Sequence, residues 1–185
     1  MWNVITRFIS CSIKQNKKQN KTNRKQNKIK IHSVYIHTMN FLIRKLIESD
    51  YEKYKELING FRPTDFTHAE FINTINAINK HSDIWIIEND TEFMATGTIL
   101  YETKFIHNIS LYAHIEDIYV NETYRKHGIG KLLIEHLVNE AKSKKCYKIM
   151  LDCNESLESF YKKNNFKKNG IQMVIYTNSY GSSAV

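Results

Sequence analysis

Between positions 116 and 131 the chain reads Glu-Asp-Ile-Tyr-Val-Asn-Glu-Thr-Tyr-Arg-Lys-His-Gly-Ile-Gly-Lys, and these residue types suit the binding of an anion. Arg125, Lys126 and His127 precede two glycines, Gly128 and Gly130. The glycines open an amphipathic run with Ile129, Leu132, Leu133, Leu137 and Ala141 on its inner side. At a helix start several backbone N–H groups lack intrahelical partners and the dipole is positive. Glycines there let phosphates approach the main chain, and Lys126 and Lys131 add mobile charge beside it. Two glycines alone also describe an ordinary turn. A dinucleotide fingerprint needs a third glycine where Leu133 stands, and the phosphate loop G-x-x-x-x-G-K-[ST] is absent.

The elements that must hold this loop follow from hydrophobic periodicity and from punctuating residues. A strand is expected over 41–46. A helix capped by Ser49 or Asp50 should run to about Asn59, with Gly60 as its stop. Arg62-Pro63-Thr64 reads as a loop, and residues 67–78 as a second helix with Phe71, Ile72, Ile75 and Ile78 on one face. Strands are expected over 84–87 and 93–101, joined by a tight turn at Asn89-Asp90, and over 111–120. After the glycine-opened helix come a strand over 146–152, a short helix over 156–163 and a final strand or two over 166–176. The tail from Thr177 should fray. Strand-then-helix units with short links argue for a mixed α/β sheet.

Arg125-Lys-His-Gly-Ile-Gly130 matches without a gap the [Q/R]-x-x-G-x-[G/A] pyrophosphate loop of the GNAT acetyltransferase superfamily. Its setting also fits: strand before, helix after, then strand, short helix and Tyr. Five further blocks narrow the match: His114-Ile-Glu-Asp-Ile118, Gly128-Ile-Gly-Lys-Leu-Leu-Ile134, Cys146-Tyr-Lys-Ile149, Leu151-Asp-Cys153 and Phe160-Tyr-Lys-Lys163. With them, residues 41–176 resemble the glucosamine 6-phosphate N-acetyltransferases. The resemblance implies a GNAT acyl-CoA N-acyltransferase fold, a mixed, mostly antiparallel sheet splayed at the acetyl-CoA site and flanked by helices. It implies acetyl transfer from acetyl-CoA to the amine of D-glucosamine 6-phosphate, a step toward UDP-N-acetylglucosamine.

By that resemblance the acetyl-CoA pyrophosphate lies on Lys126, His127, Gly128, Ile129, Gly130 and Lys131, with Tyr161, Lys162 and Lys163 also on the cofactor side. The pantetheine arm pairs like an added strand with the backbone of Ile118, Tyr119 and Val120, because a splayed strand offers free N–H and C=O groups. Tyr161 protonates the departing thiolate, a role a phenol can fill as a neutral donor at pH 7. Glu116, Asp117, Ile118 and Asp152 line the sugar and amine site. Asp117 and Asp152 serve the chemistry there, and the Asp152 backbone carbonyl receives the amine. Lys104, Phe105, Ile106 and His107 form one substrate segment and Tyr147 and Lys148 another, contributed across an intertwined homodimer. Transfer is direct in a ternary complex, so Cys146 and Cys153 are expected to be small buried packing residues. No metal is implied, since no His/Cys/Asp cluster has ligand spacing.

Two departures from the resemblance bear on phosphate recognition and on a turn. Many relatives carry an Arg near the end of the final strand, where this chain has Tyr176. Arg62 stands where relatives have a small hydroxyl residue, and its guanidinium fork matches phosphate geometry. Asn164-Asn165 occupies a site often filled by Gly before Phe, and Asn tolerates left-handed backbone best among the non-glycine residues.

Composition supplies the frame. The chain has 185 residues, 42% hydrophobic and 25% charged, which suits one globular domain. No window approaches eighteen uninterrupted apolar residues, which argues against a membrane span. The odd count of three Cys suits a reducing compartment, so a cytoplasmic location is expected. Net charge is +8, yet residues 1–38 hold nine cations and no acid, leaving 18 cations against 19 acids in the rest. The basic character therefore belongs to a low-complexity Lys/Gln/Asn leader and not to the domain at 39–185. Three readings of the leader stay open: a nucleic-acid tail lacking interleaved aromatics, a mitochondrial presequence poor in Arg and Ser, or a segment without a folding role ahead of a start at Met39. The rival functions are a GNAT enzyme acting on a polyamine or a protein amine, and nucleic-acid binding through the leader.

Overall fold

The longer helices follow β1, β4 and β5 and cover both faces of a five-stranded sheet. The computed structural model describes residues 40–177; the leader at 1–38 and the start at Met39 lie outside the described residues. The order is β1 (Leu42–Lys45), α1 (Tyr51–Phe61), α2 (His68–Ile78), β2 (Ser82–Glu88), β3 (Phe93–Lys104), β4 (Ser110–Val120), α3 (Ile129–Ser143), β5 (Lys148–Leu151) and α4 (Glu155–Lys163). The strands form one sheet in sequence order, antiparallel from β1 to β4, with β5 parallel to β4. Among the described residues no helix is long and apolar enough to cross a membrane.

The two sheet faces have separate cores. Ile129, Leu133, Ile134, Leu137 and Ala141 of α3 pack on Ala95, Ile99, Ala113 and Ile115. Leu57 of α1 and Phe71 and Ile75 of α2 pack on Ile84, Ile86, Phe93 and Tyr119 across the sheet. Each large aliphatic side chain so buried contributes about 1.5–3 kcal/mol. Local signals set the ends. Thr67 caps α2 reciprocally: its hydroxyl accepts from the Glu70 N–H at 3.3 Å, and the Glu70 carboxylate accepts from the Thr67 N–H at 2.7 Å. At the β2–β3 turn the Asn89 side-chain oxygen accepts from the Thr91 and Glu92 N–H groups at 2.9 Å each.

β4 carries an extra residue. Thr96 pairs with Tyr119 and Thr98 with Glu116, so Asp117 and Ile118 together face Gly97. Asp117 adopts φ 49°, as a bulge requires. The bulge shifts the alternation of side chains: Ala113 and Ile115 face α3 before it, Ile118 and Val120 after it, and Tyr119 turns to the α1–α2 core.

Three expectations need correction. Gly60 does not stop α1, which runs through Phe61. The helix ends because Arg62 precedes Pro63 and takes an extended backbone, the conformation a following proline imposes. Residues 166–177 contain no strand. Among the described residues they find no ladder partner, Gly170 breaks the run at φ 91°, and Ile171, Met173 and Ile175 are 87%, 89% and 89% exposed. The strand expected over 146–152 is the four-residue β5, because the Cys146 N–H closes the end of α3 on the Ala141 carbonyl at 3.0 Å. Asn165 is left-handed at φ 68°, as the turn before Phe166 demands.

Gly60 has a packing role instead. A Cβ there would lie 2.5 Å from the Tyr119 hydroxyl. The Tyr119 ring cannot easily yield, being flanked by Phe61 at 5.5 Å and the Arg125 guanidinium at 5.5 Å. Gly60→Ala is expected to destabilise by about 1–3 kcal/mol through overpacking, although Ala favours a helix over Gly by about 1 kcal/mol. Tyr119→Phe should recover some of the loss. Urea unfolding of the four-variant cycle measures the coupling, and strictly additive effects would contradict this contact.

Candidate active site

The β4–β5 ladder ends at Ile115 opposite Leu151, while β4 runs on to Val120. The edge of residues 116–120 that faces away from β3 is therefore open to an added strand. Next to it, Gly128 at φ 87° is the N-cap of α3, and no acid stands in the first turn of that helix. A residue with a Cβ strongly resists this backbone. Lys126 is left-handed too, at φ 67°. Arg125 ties the loop to the strand end: its Nε donates to the Val120 carbonyl at 3.0 Å and one terminal nitrogen to Glu122 at 2.8 Å. At Gly130 a Cβ would meet Val120 and Phe160 at 3.4 and 3.5 Å, ordinary contacts, so this glycine packs closely against the end of β4 and α4.

These features form a cradle for an anion beside a free strand edge, and they fit the phosphates and amide arm of acetyl-CoA. His127, Ile129 and Gly130 line its helical side, Ile129 fully buried. Lys131 pairs with Glu135 at 3.4 Å and Lys162 with Glu158 at 2.9 Å, both exposed pairs that a bound phosphate can redirect. Lys163 is exposed. Ile118 and Tyr119 turn their side chains into the two cores, so at this edge they offer backbone only.

A cleft of about 630 Å³ opens between β5, α4 and residues 166–172, and His114, Lys148, Asp152, Cys153, Tyr161 and Gln172 are among its walls. Tyr161 is buried, its ring edge-on to Phe160 at 5.0 Å and to Phe166 at 6.0 Å. Burial, and next the neighbouring Cys153, raise its phenol above the ordinary value, so it stays a neutral donor. Cys153 corrects an expectation: it is exposed, because the chain leaves the sheet at Asp152 and nothing packs over the thiol. Cys146 is half-buried, and burial raises its thiol.

Glu116 and Asp152 converge on a residue to which the sequence motif assigns no role. His114 stands between them, Nδ1 3.3 Å from Glu116 and Nε2 3.5 Å from Asp152. Gln172 also donates to Asp152 at 2.9 Å. Strand alternation from Glu116 could have pointed to His114; Gln172 lies in a stretch that reads as strand and carries no signal. Asp117 is exposed on the bulge, and its charge, after burial, helps push the Tyr54 phenol up to about 12.

The remaining substrate residues gather elsewhere. Lys104 pairs with Glu102 at 2.7 Å and lies over the Tyr112 ring at 5.5 Å. His107 stacks on Tyr147 at 4.3 Å, and residues 107–109 are all left-handed, which turns Phe105 and Ile106 outward, 93% and 58% exposed. Arg62 lies over Phe61 at 5.9 Å, beside Tyr119. Lys104 pairs with Ser110 at the start of β4 and Arg62 sits by its end. At ~3.3 Å per residue the two are about 30 Å apart along the strand. Within one chain they stand too far apart to grip the same phosphate.

Residues 43–166 match the sequence model of the acetyltransferase (GNAT) family. The glucosamine 6-phosphate N-acetyltransferase 1 of Dictyostelium discoideum is 39% identical over 139 residues, covering 72% of this chain and 88% of that protein. The glucosamine 6-phosphate N-acetyltransferase of Arabidopsis thaliana is 36% identical over 143 residues, 74% of this chain and 96% of that protein. The crystal structure of the glucosamine-6-phosphate N-acetyltransferase from Arabidopsis thaliana superposes with a TM-score of 0.72 at 35% identity, covering 75% of this chain and 99% of that one.

At pH 10 an ordinary tyrosine is about half ionised. A ¹³Cζ-tyrosine spectrum, with the resonance assigned by Tyr161→Phe, should show Tyr161 still mostly protonated there. Half-ionisation at or below pH 10 would contradict the buried neutral donor.

Proposed function

The chain belongs to the acetyltransferase (GNAT) family, and from that membership we propose that it acetylates the amine of D-glucosamine 6-phosphate. Acetyl-CoA is the donor, and the products are N-acetyl-D-glucosamine 6-phosphate, a precursor for UDP-N-acetylglucosamine, and CoA. One observation carries the choice of acceptor: relatives of that name are 39% and 36% identical across most of their own length. The cradle, the open β4 edge and the carboxylates beside a buried phenol suit the same chemistry.

Acetyl-CoA supplies a thioester poised for attack, held by Lys126 to Lys131 and by the backbone of Ile118 to Val120. The amine reaches the cleft as an ammonium, which Glu116, Asp117 and the Asp152 carbonyl attract and orient. Once a proton is lost to this acidic wall, nitrogen bonds to the acetyl carbon and the carbon–sulfur bond breaks. The Tyr161 phenol gives its proton to the leaving sulfur, and the second proton shed by the new amide nitrogen restores the phenol. Holding amine and thioester together supplies much of the rate, since the step becomes effectively unimolecular.

A second copy of the chain completes the site in this reading. Its Lys104, His107, Tyr147 and Lys148 would reach the sugar phosphate opposite Arg62, which explains their separation along β4. Supporting it, Phe105, Ile106, Ile109 and Tyr147 are exposed, as are Ile171, Met173 and Ile175 on a run with no strand partner among the described residues. In the same reading the enzyme works in the cytoplasm, where Cys146 and Cys153 stay as thiols.

Thiol release from acetyl-CoA, compared across glucosamine 6-phosphate, glucosamine, spermidine and a peptide, tests the acceptor: turnover should be greatest with glucosamine 6-phosphate. Activity with the peptide alone would overturn the reading. Tyr161→Phe is expected to lower kcat on the order of 10²-fold with little change in acetyl-CoA affinity; an unchanged kcat would remove Tyr161 from the mechanism. Arg62→Ala should raise KM for the sugar phosphate about 10-fold or more, the loss of a charge-assisted hydrogen bond. An unchanged KM would release Arg62 from that role.

A further inference from the structure

Glu116 on β4 and Asp152 just beyond β5 bring two negative charges to one side of the place where these strands diverge. Among the described residues the same side chain, His114, comes within 4 Å of both carboxylates. His114 is opposite Met150 in the β4–β5 register, and its neighbours Ala113 and Ile115 are buried on the other face beneath α3. Strand pairing thus fixes its Cα, and alternation puts its ring on the face that carries Glu116. The imidazole has nitrogens on opposite edges, so one planar side chain meets both carboxylates, Nδ1 at 3.3 Å and Nε2 at 3.5 Å. Asp152 is held from the other side by Gln172 at 2.9 Å.

We infer that His114 is a positioning residue for the acceptor amine: it spans Glu116 and Asp152 and fixes the separation and orientation of the two groups that receive the ammonium. This rests on the acetyl transfer proposed above. Two carboxylates without a spacer repel and spread, and Asp152 stands where the chain leaves the sheet, with no ladder to hold it. His114 and Gln172 both hold its Oδ2, which tethers the residue whose backbone carbonyl meets the amine in the proposed reading. A lysine at 114 would meet both acids through one point charge and set no angle between them, whereas a flat ring with two separated nitrogens does. His114 also lines the cleft that Tyr161 reaches, so its ring closes the acidic end of the same cavity.

Steady-state kinetics of the full chain test the inference. With the amino sugar varied, His114→Ala is expected to lose on the order of 10- to 100-fold in kcat/KM, the effect of a misplaced reactant. KM for acetyl-CoA should stay within about 2-fold, since the cradle is built on other residues. His114→Gln, which keeps an amide donor and acceptor on a side chain of similar reach, should recover some of the loss. An undiminished kcat/KM for the amine in His114→Ala would overturn the inference. So would a loss shared equally by amine and acetyl-CoA, which marks a general structural defect. A readout without substrate accompanies these assays: the His114 imidazole ¹⁵N resonances should shift in Glu116→Gln and again in Asp152→Asn. Resonances indifferent to both substitutions would refute the bridge. If the wild-type chain acetylates another amine and not glucosamine 6-phosphate, the acceptor proposal falls while the same His114 comparison is made with that amine.

Discussion

One inserted residue in β4 governs the architecture of the site. Up to Ile115 the strand is held on both sides, by β3 and by β5. At Asp117 the bulge bends it and reverses which side chains face which core, and its β5 edge is left open as far as Val120. The reversal turns Tyr119 against Gly60 of α1 and, with Arg125, braces the strand end that leads into the glycine loop. Without it, Tyr119 would face α3 and the open edge would lose its buttress. The bulge interrupts the β3–β4 ladder locally, and pairing resumes at Thr96 and Ala95, so the strand stays attached on that side.

Charge follows the same division. From Met39 onward the chain is close to neutral, with 18 cations against 19 acids. What differs is placement: Lys126 and Lys131 beside a positive helix start, Glu116 and Asp152 beside His114, and Lys104 and Lys148 toward the start of β4. The bulk charge of +8 says nothing about this, since its excess comes from residues 1–38. Arg62 and Lys104, about 30 Å apart along one strand, belong to one phosphate site only if two chains supply them.

Amphipathic helices, strands and the glycine loop were legible in the residues because each is set by neighbours close in sequence. Gly128 and Gly130 announced the anion cradle, Thr67 with Glu70 the start of α2, and Asn165 its left-handed turn. Where the residues misled, the deciding partner was distant. Gly60 reads as a helix stop, but its reason is the hydroxyl of Tyr119, 59 positions along. Residues 166–176 alternate like a strand, yet a strand forms only where an unpaired edge awaits it. Cys153 reads as a buried hydrophobe, but the chain leaves the sheet one residue earlier. His114 lies inside a motif without a role until Asp152, 38 residues on, comes to its other edge.

The sequence by itself determined the class of chemistry through the resemblance of its whole set of motifs to a known family, since two glycines beside basic residues also describe an ordinary turn. It also determined the order of elements and the separation of the basic leader from the domain. Only the tertiary structure decided which acids meet at His114, that Tyr161 is buried as a neutral phenol, and that Arg62 and Lys104 stand toward opposite ends of β4. Those facts depend on strand register and on the bulge at Asp117. Register comes from the packing of both faces at once, and no short stretch of residues encodes it.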